Sequence, residues 1–464
     1  MRTKPQTGIG YKALLLLVDL ALAYVALWAA LSLRYSEITA LGTLFQHAQP
    51  FTIVYLMWIT LFYFNDLYNF ARIRDQLNVY FDLARTLLLG TVIAVIIFYL
   101  LPSNDLTPKR LLLMNAGIFA VLIAIWRVIF VKIFNHFLPR NNVALVGINH
   151  HALELGETML DKKNSGYRLV ALVGSGKEKV DVPQKFEAVA IVENPYELSA
   201  HMKKNGINTI VLAETNPDQN LIKHLLEYLP WGAKFYNFSD FYEKYNQKVP
   251  TGYINYDWFL ENINKSDRVT LDVVKRLVDI IIAVVSLVAL FPISILVALA
   301  IKIDDPKEPF IFAQKRIGLN NRIFLAYKFK TMTPDTPDRN NLQEAQENDY
   351  RLTRIGGFLR KTRLNEVPQL FNILIGDMTL VGPRPERPEA LDELTAKVPF
   401  YQIRYLIKPG LTGWAQVRGP IGCSAEATKE KVKYDFYYMK HRSLSLDMSI
   451  LIRTVTIVFN KEGK

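Results

Sequence analysis

Between Thr353 and Pro385 the chain reads TRIGGFLRKTRLNEVPQLFNILIGDMTLVGPRP, gathering Arg354, Arg360, Lys361, Arg363 and Arg384 around two acids, Glu366 and Asp377. Guanidinium and ammonium groups stabilise phosphate oxygens and the charge that builds on them, while carboxylates hold hard divalent metals. This mixture of residue types is therefore suited to phosphoryl transfer. The spacing alone also fits a solvated Arg-rich helix followed by a Pro-rich turn. Upstream, Gln314, Arg316, Lys328 and Lys330 add polar and cationic groups. These read either as phosphate or lipid contacts or as a solvated basic rim.

Such residues need elements to hold them. Pro368 suits the first turn of a helix that runs through Leu370, Phe371, Ile373 and Leu374 and stops at Gly376. Asn365 and Glu366 then stand at its N-terminal end, where unsatisfied N–H groups favour an anion. Asp335 to Asp349 is polar and punctuated by proline, the signature of a loop. IKPGLTGWAQVRG surrounds Trp414 with glycines, either bringing backbone to a ligand or shaping a tight connection. Glu426 to Lys440 and Ser445 to Phe459 read as amphipathic helices, the second suited to a membrane interface or to burial against the core.

The composition selects the compartment. In 464 residues, half are hydrophobic and the net charge is +12. That is too apolar for an ordinary soluble enzyme, and the cationic surplus suits an anionic lipid surface or a phosphate-rich substrate. The single cysteine, Cys423, excludes an intrachain disulfide framework and a cysteine-rich metal site. Four apolar segments, Ala13 to Leu33, Phe51 to Phe64, Leu83 to Leu101 and Leu111 to Val131, are read as a four-helix transmembrane bundle over residues 1–140. Lys4, Lys12, Arg72, Arg74, Arg85, Arg127, Lys132 and Arg140 flank them so that both ends face the cytoplasm. Asp19, inside the first segment, is either functional or turned toward another helix. A fifth apolar stretch, Leu271 to Ile303, carries Lys275 and Arg276 at one end and Lys302 at the other, with Pro292 near its centre. A straight span would carry the following domain across the membrane. A helix that enters, breaks at Pro292 and returns to the same face fits the basic flanks better.

From Asn141 the pattern turns soluble. NNVALVGINHHALELGETMLDKKNSGYRLVALVG reads as strand, turn, helix, strand, and the runs Thr209 to Ala213 and Ala233 to Phe238 continue a βαβ pattern. Residues 141–246 are therefore expected to form a Rossmann-like α/β module. A dinucleotide fingerprint begins at Gly147, but Asn149 occupies its second glycine position and Ala152 its last, which argues against a bound nucleotide and for a regulatory or oligomerising role. His150 and His151 read as loop residues, not metal ligands. Residues 247–267 read as a linker whose aromatics, Tyr253, Tyr256, Trp258 and Phe259, sit at the membrane interface or on the following domain.

From about Leu271 to the C-terminus, several ordered blocks resemble the bacterial polyprenyl-phosphate glycosyl-1-phosphate transferases: KRLVDI, QKRIGLNNRIFLAYKFKTM, LNEVPQLFN, GDMTLVGPRPE, IKPGLTGWAQV and KYDFYYM. The resemblance, to the large multidomain branch serving exopolysaccharide, capsule or O-antigen assembly, implies an α-rich catalytic domain over residues 268–464. It implies a re-entrant membrane helix over residues 271–303, and transfer of a sugar phosphate from a UDP-sugar to undecaprenyl phosphate with Mg²⁺. It implies that residues 365 and 366 are catalytic together with Arg360, that Glu366 and Asp377 hold the metal, and that Arg316, Lys328, Lys330, Arg363, Arg384 and Arg387 bind substrate. The family has Asp, the nucleophile, where this chain has Asn365. It has Arg where Lys330 stands and Ser where Phe291 stands. An amide oxygen is a much weaker nucleophile, which leaves Glu366 to act as nucleophile or base, or leaves a degenerate site serving as a non-catalytic assembly scaffold. A multi-pass protein of the bacterial inner membrane is expected, its catalytic domain cytoplasmic, forming a homo-oligomer, a dimer, and binding no nucleic acid.

Overall fold

A computed structural model describes residues 7–65, 67–68, 76–100, 109–134, 141–161, 166–174, 181–214, 217–263, 269–304, 306–332, 352–422 and 424–460. The chain divides into two compact units, Met1–Phe241 and Tyr242–Lys464.

The first unit opens with four long helices, α1 (Thr7–Tyr35), α2 (Leu41–Phe64), α3 (Gln76–Leu100) and α4 (Lys109–Phe134). α1 packs against α2 and α4, and α3 against the same two. Ala23, Ala26 and Ala30 keep α1 slim enough for close approach, while Trp58 stacks on Phe119 with ring centroids 5.2 Å apart. The outward faces, which include Leu17, Leu88 and Leu113, stay apolar and exposed. Helices apolar on both faces need an apolar solvent. Among the described residues, Gly10–Tyr35, Arg110–Ile133 and Val269–Asp304 are long and apolar enough to cross a membrane. Asp19 is turned inward, and Arg127 Nη2 donates to its Oδ2 at 2.6 Å in the bundle interior. A buried acid in such a bundle needs a partner of this kind.

An α/β domain follows: β1 (Asn141–Val146), α5 (His150–Asp161), β2 (Tyr167–Val173), β3 (Ala190–Val192), α6 (Leu198–Asn205), β4 (Thr209–Leu212), α7 (Gln219–Leu226) and β5 (Lys234–Asn237). All pairings are parallel, in the order β3-β2-β1-β4-β5. The central strands are the apolar runs legible in the sequence, because a parallel sheet is covered on both faces. His150 and His151 open α5 and do not lie in a loop, since Asn149 caps that helix by accepting from the Ala152 N–H at 2.9 Å.

The second unit contains α8 (Tyr256–Asn262), α9 (Val269–Asp304), the hairpin β6 (Ile311–Ile317) and β7 (Ile323–Phe329), α10 (Arg354–Lys361), α11 (Gln369–Ile375), the parallel pair β8 (Thr379–Val381) and β9 (Gly410–Thr412), α12 (Ala425–His441) and α13 (Leu444–Asn460). Of the expected linker over residues 247–267, the described part packs on the following domain. Val249, Ile254 and Phe259 enter the core beside Leu370, Tyr405, Trp414 and Phe436, and the Val249 N–H donates to the Lys433 carbonyl at 3.0 Å. Burying those side chains outweighs the freedom a linker would keep. α9 continues through Pro292 as one helix.

Candidate active site

The anionic centre lies where three elements meet. α10 ends at Lys361, and Arg363 takes a left-handed backbone (φ +58°) that reverses the chain into a short 3-10 turn, Leu364–Glu366, before Pro368 opens α11. That reversal delivers Asn365 and Glu366 to the N-terminal end of α11. Asn372, fully buried, fixes the helix to the hairpin: its amide N donates to the Leu325 carbonyl at 2.7 Å and its oxygen accepts from the Tyr327 N–H at 3.0 Å. The next residue along β7 is Lys328. In the hairpin register Arg316 pairs with Phe324, Gln314 with Ala326 and Phe312 with Lys328, so Arg316 and Lys328 share one face.

Three cations converge on one oxygen. Glu366 Oε1 lies 3.6 Å from Arg384 Nη1, 3.9 Å from Arg363 Nη1 and 4.0 Å from Lys328 Nζ. Burial pushes the Glu366 carboxyl up, but the charges of Arg384, Lys328, Arg363 and Arg316 outweigh it and hold the group below its ordinary range. Burial pulls the Lys328 ammonium down to about 7, with Arg384, Arg316 and Arg360 adding to the shift and Glu366 opposing it. Arg316 is drawn down to about 10, chiefly by burial and then by the nearby Arg384. Its guanidinium donates to the Pro385 carbonyl at 3.0 Å and to Gln314 Oε1 at 2.8 Å. Arg316, Ala326, Lys328, Gln369, Arg384 and Pro385 line a small shared cleft. The cleft is thus lined by the cationic side chains of Arg316, Lys328 and Arg384.

The remaining expected residues divide. Arg360 on α10 donates from Nε to Thr331 Oγ1 at 3.0 Å and adds its field to Lys328. Arg387, half-buried, acts on Arg316 through its charge. Lys330 forms an ion pair with Glu308, so the structure places it with that acid and not with Glu366. Asp377 stands at the other end of α11 from Glu366. It follows the C-terminal Gly376 of α11, whereas Glu366 precedes the helix, and seven helical residues separate the two by roughly 10 Å or more. Among the described residues no group of three or more His, Cys, Asp or Glu side chains converges as a metal site. Asn365 is buried, and its Oδ1 has no hydrogen-bond partner.

Several supporting residues were not read as site residues from the sequence. Arg404, buried, pairs with Asp435 at 2.8 Å and donates to the Arg384 carbonyl at 3.1 Å, holding the backbone that presents Arg384. Gly382 and Gly410 cross so closely that a Cβ on Gly410 would meet the Gly382 nitrogen at 2.1 Å, and this crossing joins β8 to β9 beside the cleft. Asp279, on the apolar helix α9, accepts from Thr379 Oγ1 at 2.6 Å and from the Leu380 N–H at 3.2 Å. Arg276, one turn earlier, donates to the Ile373 and Leu374 carbonyls, capping the C-terminal end of α11.

At the Gly147 fingerprint, Asn149 stands in the second glycine position. Asn149 Nδ2 donates to the Ala213 carbonyl at 2.7 Å while its Oδ1 caps α5, so the side chain bridges the crevice at the switch point between β1 and β4. A pyrophosphate would have to approach backbone there.

Residues 270–461 match the family model described as bacterial sugar transferase, and residues 63–230 match one described as CoA-binding domain. A UDP-glucose:undecaprenyl-phosphate glucose-1-phosphate transferase of Xanthomonas campestris pv. campestris is 30% identical over 330 residues, covering 69% of this chain and 67% of that protein. One of the same description from Caulobacter vibrioides is 43% identical over 193 residues, covering 40% of this chain and 70% of the relative. A UDP-N-acetylgalactosamine-undecaprenyl-phosphate N-acetylgalactosaminephosphotransferase of Aeromonas hydrophila is 40% identical over 190 residues, and the match spans 44% of its length.

Proposed function

Since the chain belongs to the bacterial sugar transferase family of undecaprenyl-phosphate sugar phosphotransferases, we infer that it moves a sugar 1-phosphate from a UDP-sugar to undecaprenyl phosphate. The observation that carries the chemistry is the convergence of Lys328, Arg363 and Arg384 on Glu366 beside the unpartnered Asn365 oxygen. These cations receive the diphosphate. Asn365 offers a neutral amide, and the Glu366 oxygen is engaged by three cations, so neither is a strong nucleophile. The acceptor supplies its own: a phosphate monoester is largely dianionic near neutral pH. Its oxygen attacks the β-phosphorus, the bond from that phosphorus to the α-phosphate bridging oxygen breaks, and UMP departs with that oxygen and the electron pair. Arg384, Lys328 and Arg316 stabilise the charge on the transferring group, while Glu366 keeps these cations in place between turnovers.

Mg²⁺ would be held here by Glu366 and the buried Asn365 oxygen. When bound it would neutralise charge on the leaving phosphate.

Membrane anchoring has its own support. Near its start, α9 reaches β8 and α11 through Asp279 and Arg276. Near its end, Val297 and Ile301 pack with Phe329 and Leu359, while the middle, including Val288 and Phe291, stays exposed and apolar. Both ends thus dock on one domain, which favours the re-entrant arrangement around Pro292 over a straight span. The four-helix bundle then crosses the inner membrane and leaves the catalytic unit cytoplasmic. Cysteines introduced at Asp272 and Asp304 should label from the same face, and labelling from opposite faces overturns this topology.

The chemistry is tested by UMP release from a panel of UDP-sugars, glucose and N-acetylgalactosamine donors first. Release should require undecaprenyl phosphate and should leave no sugar phosphate on the protein. A stoichiometric release of UMP without acceptor would establish a covalent route instead, and no release from any donor would leave an assembly scaffold.

A further inference from the structure

The α/β domain has a face that the transferase chemistry does not use. In a parallel sheet every strand begins at the same edge, and here Asn141 pairs with Tyr167, Val143 with Thr209, and Thr209 with Lys234. The edge is tied together by the Asn208 N–H donating to the Asn142 carbonyl at 3.1 Å and the Lys234 N–H to the Asn208 carbonyl at 2.9 Å. The Asn142 amide also holds the end of α6 there, donating to the Asn205 carbonyl at 2.8 Å. On this edge the turn before β5 presents Leu229 and Trp231, each 51% exposed, next to Leu226 at the end of α7, 47% exposed. Arg168, Lys204 and Lys234 are exposed at the same edge. Glu227, the acid nearest to Trp231 in sequence, lies 3.4 Å from His224.

The chain arrives at this edge directly from the apolar helix α4. That helix ends at Phe134, and β1 begins at Asn141. A connection of that length reaches at most roughly 25 Å. β5 lies two strands from β1, about 10 Å across the sheet. The first edge to leave the membrane is therefore the edge carrying an exposed tryptophan, two leucines and three cations, the composition that partitions into an anionic headgroup layer.

We propose that this edge, centred on Leu229 and Trp231, rests on the lipid headgroups and fixes the orientation of the α/β domain on the bilayer. The surface is a bilayer contact, with Trp231 and Leu229 inserted and Arg168, Lys204 and Lys234 facing anionic lipid. The proposal rests on α4 being membrane-spanning and is independent of the transferase reaction.

The test uses the full chain with Cys423→Ser, in nanodiscs of phosphatidylglycerol and phosphatidylcholine. A fluorophore is placed at Trp231→Cys, at Leu229→Cys as a second reporter, and at Glu193→Cys on the opposite edge. A lipid bearing a nitroxide in its headgroup region should quench the labels at 231 and 229 severalfold more than the label at 193. Lys204→Glu with Lys234→Glu should reduce that quenching in phosphatidylglycerol discs. Equal quenching at all three positions overturns the proposal. So does an unquenched label at 231 whose nitroxide counterpart shows spin–spin coupling between copies, which would assign the edge to a second copy of the chain. UMP release in the same discs reports separately on the transferase reading.

Discussion

Replacing Glu366 by Gln removes the negative charge that Arg384, Arg363 and Lys328 share, at nearly constant shape. At separations of 3.6–4.0 Å each attraction is on the order of 4 kcal/mol at an effective dielectric near 20, before screening. Arg363 and Arg384 are 44% and 33% exposed, so solvent removes much of their share, whereas Lys328, 18% exposed, keeps most of its own. Breaking a buried pair from one side typically costs about 3–5 kcal/mol. If that loss falls on the geometry of the cations at the transferring phosphoryl group, kcat drops by about 10²–10⁴-fold. The freed Arg384 and Arg363 attract the diphosphate more strongly, while Lys328, which Glu366 helped to keep protonated, loses charge, so KM for the UDP-sugar should hold or fall only slightly. UMP release at varied donor and saturating acceptor, with circular dichroism to confirm the fold, separates the two constants. An unchanged kcat, or a raised KM at constant kcat, would refute the assignment of Glu366 to the phosphate clamp.

Four further outcomes are expected. Asn365→Asp should release UMP in a burst without acceptor, because a carboxylate at that position can form the acyl phosphate that the amide cannot; rapid-quench analysis reads the burst. Arg404→Ala leaves Asp435 buried without its partner and should cost about 3–5 kcal/mol, part of it recovered by adding Asp435→Asn, as read by thermal denaturation in detergent. Burial raises the Glu430 carboxyl but Lys248 and Lys433 outweigh it, so its folded pKa is lowered and its stabilisation is present above the ordinary carboxylate range and lost as pH falls below that range through the folded pKa. Glu430→Gln should therefore lower the apparent Tm at neutral pH, with the gap closing near pH ~4. A chain beginning at Tyr242 should keep its fold and activity, whereas one beginning at Ser266 loses Val249, Ile254 and Phe259 from the core and should denature at lower temperature.

What the sequence disclosed follows from which forces are local. Pro368 and Gly376 bracket α11 because a proline's fixed φ and a left-handed Gly376, at φ +104°, are properties of single residues. The strands β1, β2, β4 and β5 were legible as apolar runs. The spacing of Glu366 and Asp377 did not show that an intervening helix puts them at opposite ends of one element. Residues 247–262 were ambiguous because the aromatics of a core and of a membrane interface are the same residues. Lys330 read as a substrate contact because its partner, Glu308, lies far off in sequence across the hairpin. No local pattern marks Asn372 or Arg404, whose hydrogen bonds close loops of tens of residues.

Asp279 shows how anchoring and chemistry are joined. An acid in the apolar helix α9 is costly unless its oxygens are satisfied, and here both are, by the Thr379 hydroxyl and the Leu380 N–H. Those donors begin the strand that leads through Val381 and Gly382 into Arg384. Arg276, less than a turn before Asp279, holds the other end of α11 from Glu366. In the proposed arrangement, the helix that meets the bilayer thus sets the position of both Arg384 and Glu366. Asp279→Asn would keep one acceptor and lose the charge-assisted hydrogen bond, displacing β8 relative to α9. The expected result is a fall in kcat for the membrane-bound acceptor together with a lower apparent Tm. An unaltered kcat at a lowered Tm would show that Asp279 supports the fold without setting the clamp.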